Sequence, residues 1–371
     1  MKNKYNLAAA TPGHKGGKLR FPKRIIIPEF ANEIDRQDPI MGVDRDRGYR
    51  DGQVYFANDS RFSETYYNEP LTRYTVGFRD PNNIEDTLNF FAPSVEVGRR
   101  FEWKAAVNAE EFLSEVVDDQ RAIGSDFKKV VYTGTDVTDK TLNRGLTLIV
   151  DLDNVPGAGM AGGGAVPPWQ QDKVAKLTRR LYRNSLRRAL TAISAAAVSV
   201  GYTWDKTAGV NPDLDVQGEL ITATSISGIR PNRVAYGDTA FLYRNQAYGA
   251  QNNPAGYLGY NPNVEGSLAA ALQVDRVKVS KERYQSGAAA KSEILGANVY
   301  AFFAEDGVDT EDPSNVKRFV SMFDAEQGGG LFRVYVQQIS SKLVAITVEF
   351  YEKIVITYAG GIRKLAITGP Q

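Results

Sequence analysis

PWQQDKVAKLTRRLYRNSLRRALTAISAAAVSV, residues 168–200, sets the architecture of this chain more than any other stretch. After Pro168 it holds neither Gly nor Pro, and it is rich in Ala, Leu, Arg and Lys. Those residues lose little side-chain freedom in a helix. Val174, Leu177 and Leu181 are spaced by three and four. Leu186, Leu190, Ile193, Ala197 and Val200 carry the same rhythm onward, so one face is apolar throughout. Pro167 and Pro168 open the segment and Gly201 supplies a stop. At 1.5 Å per residue the reading is a helix roughly 50 Å long. That exceeds the usual helix and suits a brace better than a packed globular core.

The polar side of this helix has one sign. Lys176, Arg180, Arg183 and Arg187 recur at helical spacing, and no acid follows Asp172 before Asp205. A solvated face would normally mix in carboxylates to relieve that repulsion. The row reads either as the solvated side of an amphipathic helix or as a face that meets acidic groups.

Just upstream lies a glycine tract containing Gly157, Gly159, Gly162, Gly163 and Gly164. Gly157-x-Gly159-x-x-Gly162 matches the dinucleotide fingerprint by letter. That fingerprint needs its last glycine inside the helix that holds the pyrophosphate. Here Gly163, Gly164, Pro167 and Pro168 intervene, so the tract reads as a flexible hinge.

Further from the helix the patterns change. Residues 1–84 are punctuated by Gly, Pro, Asn and Asp and show no sustained period, yet they carry Tyr49, Tyr55, Phe56, Phe62, Tyr66, Tyr67, Tyr74 and Phe78. This reads as an extended arm that buries its rings, either in its own chain's core or against a neighbouring subunit. Val95, Val97, Phe101 and Trp103 alternate as a half-buried strand does. A short helix is expected over 109–117, with strands over 128–133 and 145–152. Downstream, a helix over 238–245 and a loop over 248–264 precede strands at 274–280, 331–337, 343–350 and 354–357.

Composition narrows the chemistry. The 371 residues hold no cysteine and a single histidine, His14, and the formal net charge is +1. Thiolate sites are excluded, and a multi-histidine metal site or a serine triad has almost nothing to work with. Gly13-His14-Lys15-Gly16-Gly17-Lys18 is one residue short of a phosphate loop, and Leu19 stands where Ser or Thr must reach magnesium. Asp44, Asp46 and Asp51 hint at calcium, but Arg45, Arg47 and Arg50 interleave with them. Asp151 and Asp153 fit acids leaving a strand for a turn. No catalytic, cofactor or metal residue is expected. Before Glu29 the start carries seven cations, from Lys2 to Arg24, and no acid, a charged arm suited to acidic surfaces. No stretch reaches the length of a membrane span.

Several stretches resemble the tailed-phage major capsid protein family, whose fold is shared with encapsulins. They are Phe91-Ala92-Pro93-Ser94-Val95-Glu96-Val97, Asp119 to Ser125, Gly145 to Asp151, Arg230 to Gly237, and the tail from Val348 to Thr368. The resemblance implies an α+β capsid fold. Its parts would be an extended arm (1–84), a β-hairpin loop and hinge (85–166), a spine helix with peripheral domain (167–218), an axial domain (219–340) and closing strands (341–371). It implies a shell-forming protein with no enzymatic role, assembled in the cytoplasm of a bacterial host and located in the virion. The partners it implies are further copies of the chain in hexamers and pentamers, scaffold, portal and decoration proteins, and packaged DNA through non-specific contact, with no membrane. The rival expectations are an encapsulin-like compartment, another virion component, and a dinucleotide-binding enzyme using the Gly157 tract.

Overall fold

The computed structural model describes residues 66–80, 83–106, 121, 134–155, 166–207, 209–250, 265–287, 289–306, 313–323 and 330–370. The chain divides after Tyr67, and residues from Asn68 to Gln371 form one compact unit. The expected 109–117 helix, the 128–133 strand, the five hinge glycines, the Gly13–Lys18 and Asp44–Asp51 motifs and most of the 248–264 loop lie outside the described residues.

The unit opens with two short helices, α1 (Glu69–Gly77) and α2 (Ile84–Phe91). The Asn68 side chain caps α1 by accepting from the Leu71 amide at 2.9 Å, and Pro70 sits where no amide bond is lost. The segment expected to be irregular up to residue 84 therefore ends in regular structure. Leu71, Ile84, Leu88 and Phe91 are fully buried, which the short apolar spacings within a turn-rich sequence had hidden.

The brace helix is α3 (Pro168–Ala196), 29 residues long. Val174, Leu177, Leu181, Leu186, Leu190 and Ile193 form its buried face, as the spacing required. It stops four residues short of the expected Val200. The Ala197 amide still bonds to the Ile193 carbonyl, but the Val198 amide turns to Ile362. Residues Val198–Thr203 then form β5, parallel to β14 (Arg363–Thr368). Two valines and a threonine in six residues favour the pleated surface. Gly201 is thus a strand residue and not a helix stop.

Two sheets flank the brace. The first is built around β13 (Leu343–Ile356), which pairs on one edge with β4 (Leu142–Asp151). Its other edge takes β12 (Arg333–Gln338) and β11 (Val316–Ser321), and β1 (Ser94–Glu96) adds in parallel to β11. The strands expected at 343–350 and 354–357 are this one continuous strand. Between them, Glu352 is buried and salt-bridged, so its charge does not break the strand. The expected β4 is present. A separate two-stranded hairpin pairs β2 (Arg100–Ala106) with β3 (Gly134–Lys140). The alternation of Val95, Phe101 and Trp103 thus spans two strands in two sheets, and it closes a small core with Phe319 and Val355.

The second sheet runs β5–β14–β10–β6–β7, where β6 is Arg233–Gly237, β7 is Arg276–Ser280 and β10 is Asn298–Phe302. Its central strands are buried on both faces. Ala235, Tyr300 and Phe302 point into the core shared with α1, α2, α3 and the first sheet. Val234, Tyr236, Val299, Ala301 and Leu365 alternate with them into a second core. That second core is roofed by α4 (Pro212–Ser227), α5 (Asp238–Ala250) and α6 (Glu265–Leu272). A Cβ on Gly237 would meet the Gly296 carbonyl oxygen at 1.8 Å, so only glycine admits this approach of β6 to the turn before β10. The hairpin β8 (Arg283–Gln285) and β9 (Lys291–Glu293) follows β7. The expected boundary at residue 340 crosses the first sheet, because β11 and β12 pair with β13. No helix among the described residues is long and apolar enough to cross a membrane.

Candidate functional site

The exposed side of α3 carries the four expected cations, and the structure separates them into two pairs. Arg183 lies 3.4 Å from the Glu282 carboxylate, and the Arg187 guanidinium lies over the Tyr284 ring at 4.1 Å. Both partners belong to the 282–284 segment, beside the brace. Sequence reasoning missed them because they lie about 100 residues away and no periodicity links them. Lys176 and Arg180 are exposed and make no ion pair with a described carboxylate. Glu282 therefore offsets the charge of Arg183, Tyr284 holds Arg187 without neutralising it, and Lys176 and Arg180 keep their charge for an outside partner.

Beneath the row, α3 is pinned to β13 by a buried charge cluster. Glu352 has no exposed surface. It accepts from the Ser185 hydroxyl at 2.8 Å and from Arg188 Nε at 3.0 Å, with Arg144 Nε at 3.8 Å. Arg318 is buried nearby and donates to the Asn89 side chain at 3.0 Å. Burial lowers the pKa of Arg318, with the Glu352 charge opposing that shift. An ionised carboxylate held by several donors is far better tolerated in an interior than a lone charge. The cluster thus locks the brace against the first sheet.

The outer face of α4 is a second surface. Val216, Leu220 and Ala223 face the core. Leu214, Ile221 and Ile226 are exposed, with Gly218, Thr222 and Ser225 between them and no charge. A helix apolar on both sides normally has something packed on each. The composition of 212–227 contained this signal, since both faces lack Lys and Arg and the acids Asp213, Asp215 and Glu219 turn inward or sideways. The β2–β3 hairpin packs Phe101 and Trp103 on Phe319 and Val355 of the first sheet.

Asp151 and Asp153 behave as turn acids: Asp151 accepts from the Asp153 amide at 3.0 Å, and Asp153 pairs with Lys342. Among the described residues there is no group of three or more His, Asp or Glu able to hold a metal.

No family model and no curated protein matches this sequence. Solved structures do. A phage-related protein from Bordetella bronchiseptica matches at 15% identity over 81% of this chain and 96% of its own, with a TM-score of 0.57. This chain has the fold of that phage-related protein. The capsid of cyanophage P-SCSP1u matches more loosely, at 9% identity, 79% and 90% coverage and a TM-score of 0.44. A virus-like particle from Pyrococcus furiosus does so at 11%, 81% and 98% with 0.39. At those scores the two add likeness and no further argument. By residue range, α3 falls in the segment expected as spine, the β2–β3 hairpin in that expected as extended loop, and α5, α6, β6, β7 and β10 in that expected as axial domain.

Proposed function

We propose that this chain is the major capsid protein of a tailed bacteriophage, assembling as hexamers and pentamers into a closed shell around double-stranded DNA. The phage-related fold supports a virion role, though fold alone does not dictate function. The observation that carries assembly is the uncharged outer face of α4. Leu214, Ile221 and Ile226 expose apolar surface on a helix whose other side already fills the axial core. Contiguous exposed apolar surface marks an interface. In a ring of copies, each α4 would be covered by the next. The expected role is structural. Lys176 and Arg180 would face acidic groups of a neighbour or the packaged genome, and the 157–164 glycines would let the spine and loop adjust between hexamer and pentamer. Assembly in a bacterial cytoplasm and partnership with scaffold, portal and decoration proteins complete the reading.

The paired change Leu214→Asp with Ile221→Asp tests it. Both side chains are exposed, so the subunit should fold with an unchanged circular dichroism spectrum. Light scattering should show assembled species lost and small oligomers gained. Wild-type assembly by the variant would contradict the role given to α4.

A further inference from the structure

A cavity of about 500 Å³ opens between the C-terminal half of α3, the β8–β9 hairpin and the second sheet. Three separate parts of the chain line it. Arg187, Thr191 and Ser194 come from α3, Tyr284 from β8, and Tyr300 and Lys364 from β10 and β14. Two cations and four hydroxyls thus face one space, and no Asp or Glu is among the lining residues.

That imbalance is local. Elsewhere around α3 each buried or half-buried arginine has an acid: Arg179 has Asp80, Arg183 has Glu282 and Arg188 has Glu352. Arg187 and Lys364 have none among the described residues. Lys364 reaches only the Ser194 hydroxyl, at a long 3.4 Å, and Ser194 also meets the Tyr300 hydroxyl. Arg187 lies over the Tyr284 ring at 4.1 Å, a cation–π contact that holds its guanidinium in place. A guanidinium held this way keeps its N–H groups for a ligand. Leu190 and Leu295 supply the apolar part of the wall.

We propose that this cavity is an oxyanion site that takes a phosphate group between Arg187 and Lys364. A phosphate presents several acceptor oxygens in a tetrahedron and so meets donors arriving from three directions. A planar carboxylate would leave some of them unmet. Free phosphate and a nucleic-acid phosphodiester share this chemistry, and the site stands whether or not the chain builds a shell.

The test uses the full-length protein in its natural assembly state. Inorganic phosphate is titrated by calorimetry against chloride at matched ionic strength. Wild type should bind saturably. Arg187→Gln and Lys364→Gln should each weaken binding about tenfold or more, as loss of one charge-assisted hydrogen bond does. Lys206→Gln, an exposed cation outside the cavity, should bind as wild type. If Lys364→Gln fails to fold, Arg187→Gln decides alone, since its side chain is exposed. Competition by a short duplex lacking terminal phosphates identifies the source. Displacement points to a nucleic-acid backbone, and no displacement points to a free anion; both retain the site. Unsaturable heats, or equal affinity in wild type and Arg187→Gln, would overturn it.

Discussion

Glu352 has no contact with solvent, and Arg188, Arg144 and Ser185 converge on it. Removing one partner of such a cluster leaves the others charged and unmatched in a low-dielectric interior. Glu352→Ala should therefore destabilise the subunit by about 3–5 kcal/mol. Urea unfolding of the unassembled protein measures this as a lowered midpoint, and a loss below about 1 kcal/mol would show that water already solvates the cluster. None of this was legible in sequence. Glu352-Lys353 interrupts two apolar runs and reads as a break between strands, because Arg188 lies 164 residues away. Asp151 and Asp153 were legible because their partners are local: a turn amide two residues on needs no knowledge of the fold.

The brace shows the same divide among elements. Its existence and its buried face followed from apolar spacing, which is a property of the helix alone. Its end did not, since β5 forms only by pairing with β14, more than 160 residues later. The strand β3 was missed because Asp136 and Asp139 dilute the Thr and Val alternation, and its pairing with β2 supplies the missing support. The basic row was legible as a row, but not its division. Arg183 and Arg187 are engaged by Glu282 and Tyr284, so reversing their charge would disturb the subunit itself. Lys176 and Arg180 give the cleaner test. Lys176→Glu with Arg180→Glu should leave subunit stability within about 0.5 kcal/mol of wild type, as exposed substitutions usually do. DNA retention or the salt tolerance of particles should fall, because phosphate contacts are sequence-blind and salt-weakened. Filled, salt-stable particles at wild-type yield would make these two residues ordinary solvated charges.

In the molecule as a whole, one sheet serves two cores. Tyr300 and Phe302 point to the brace side, and Val299 and Ala301 point to the α4–α6 side. The second sheet is therefore joined to the brace through β10 and β6, and strands from residues 198 and 363 meet in it. The brace was readable along the chain, but sheet membership was not, since sheets gather strands from distant positions. Such a subunit leaves the exposed apolar residues of α4 and the Lys176–Arg180 pair for an outside partner. Shell assembly gives each of them one. Negative-stain electron microscopy of the purified protein, alone and co-expressed with its neighbouring structural proteins, tests this most directly. Closed particles of uniform diameter are the predicted result; a monodisperse 40.8 kDa monomer at every concentration, under both conditions, would contradict the account.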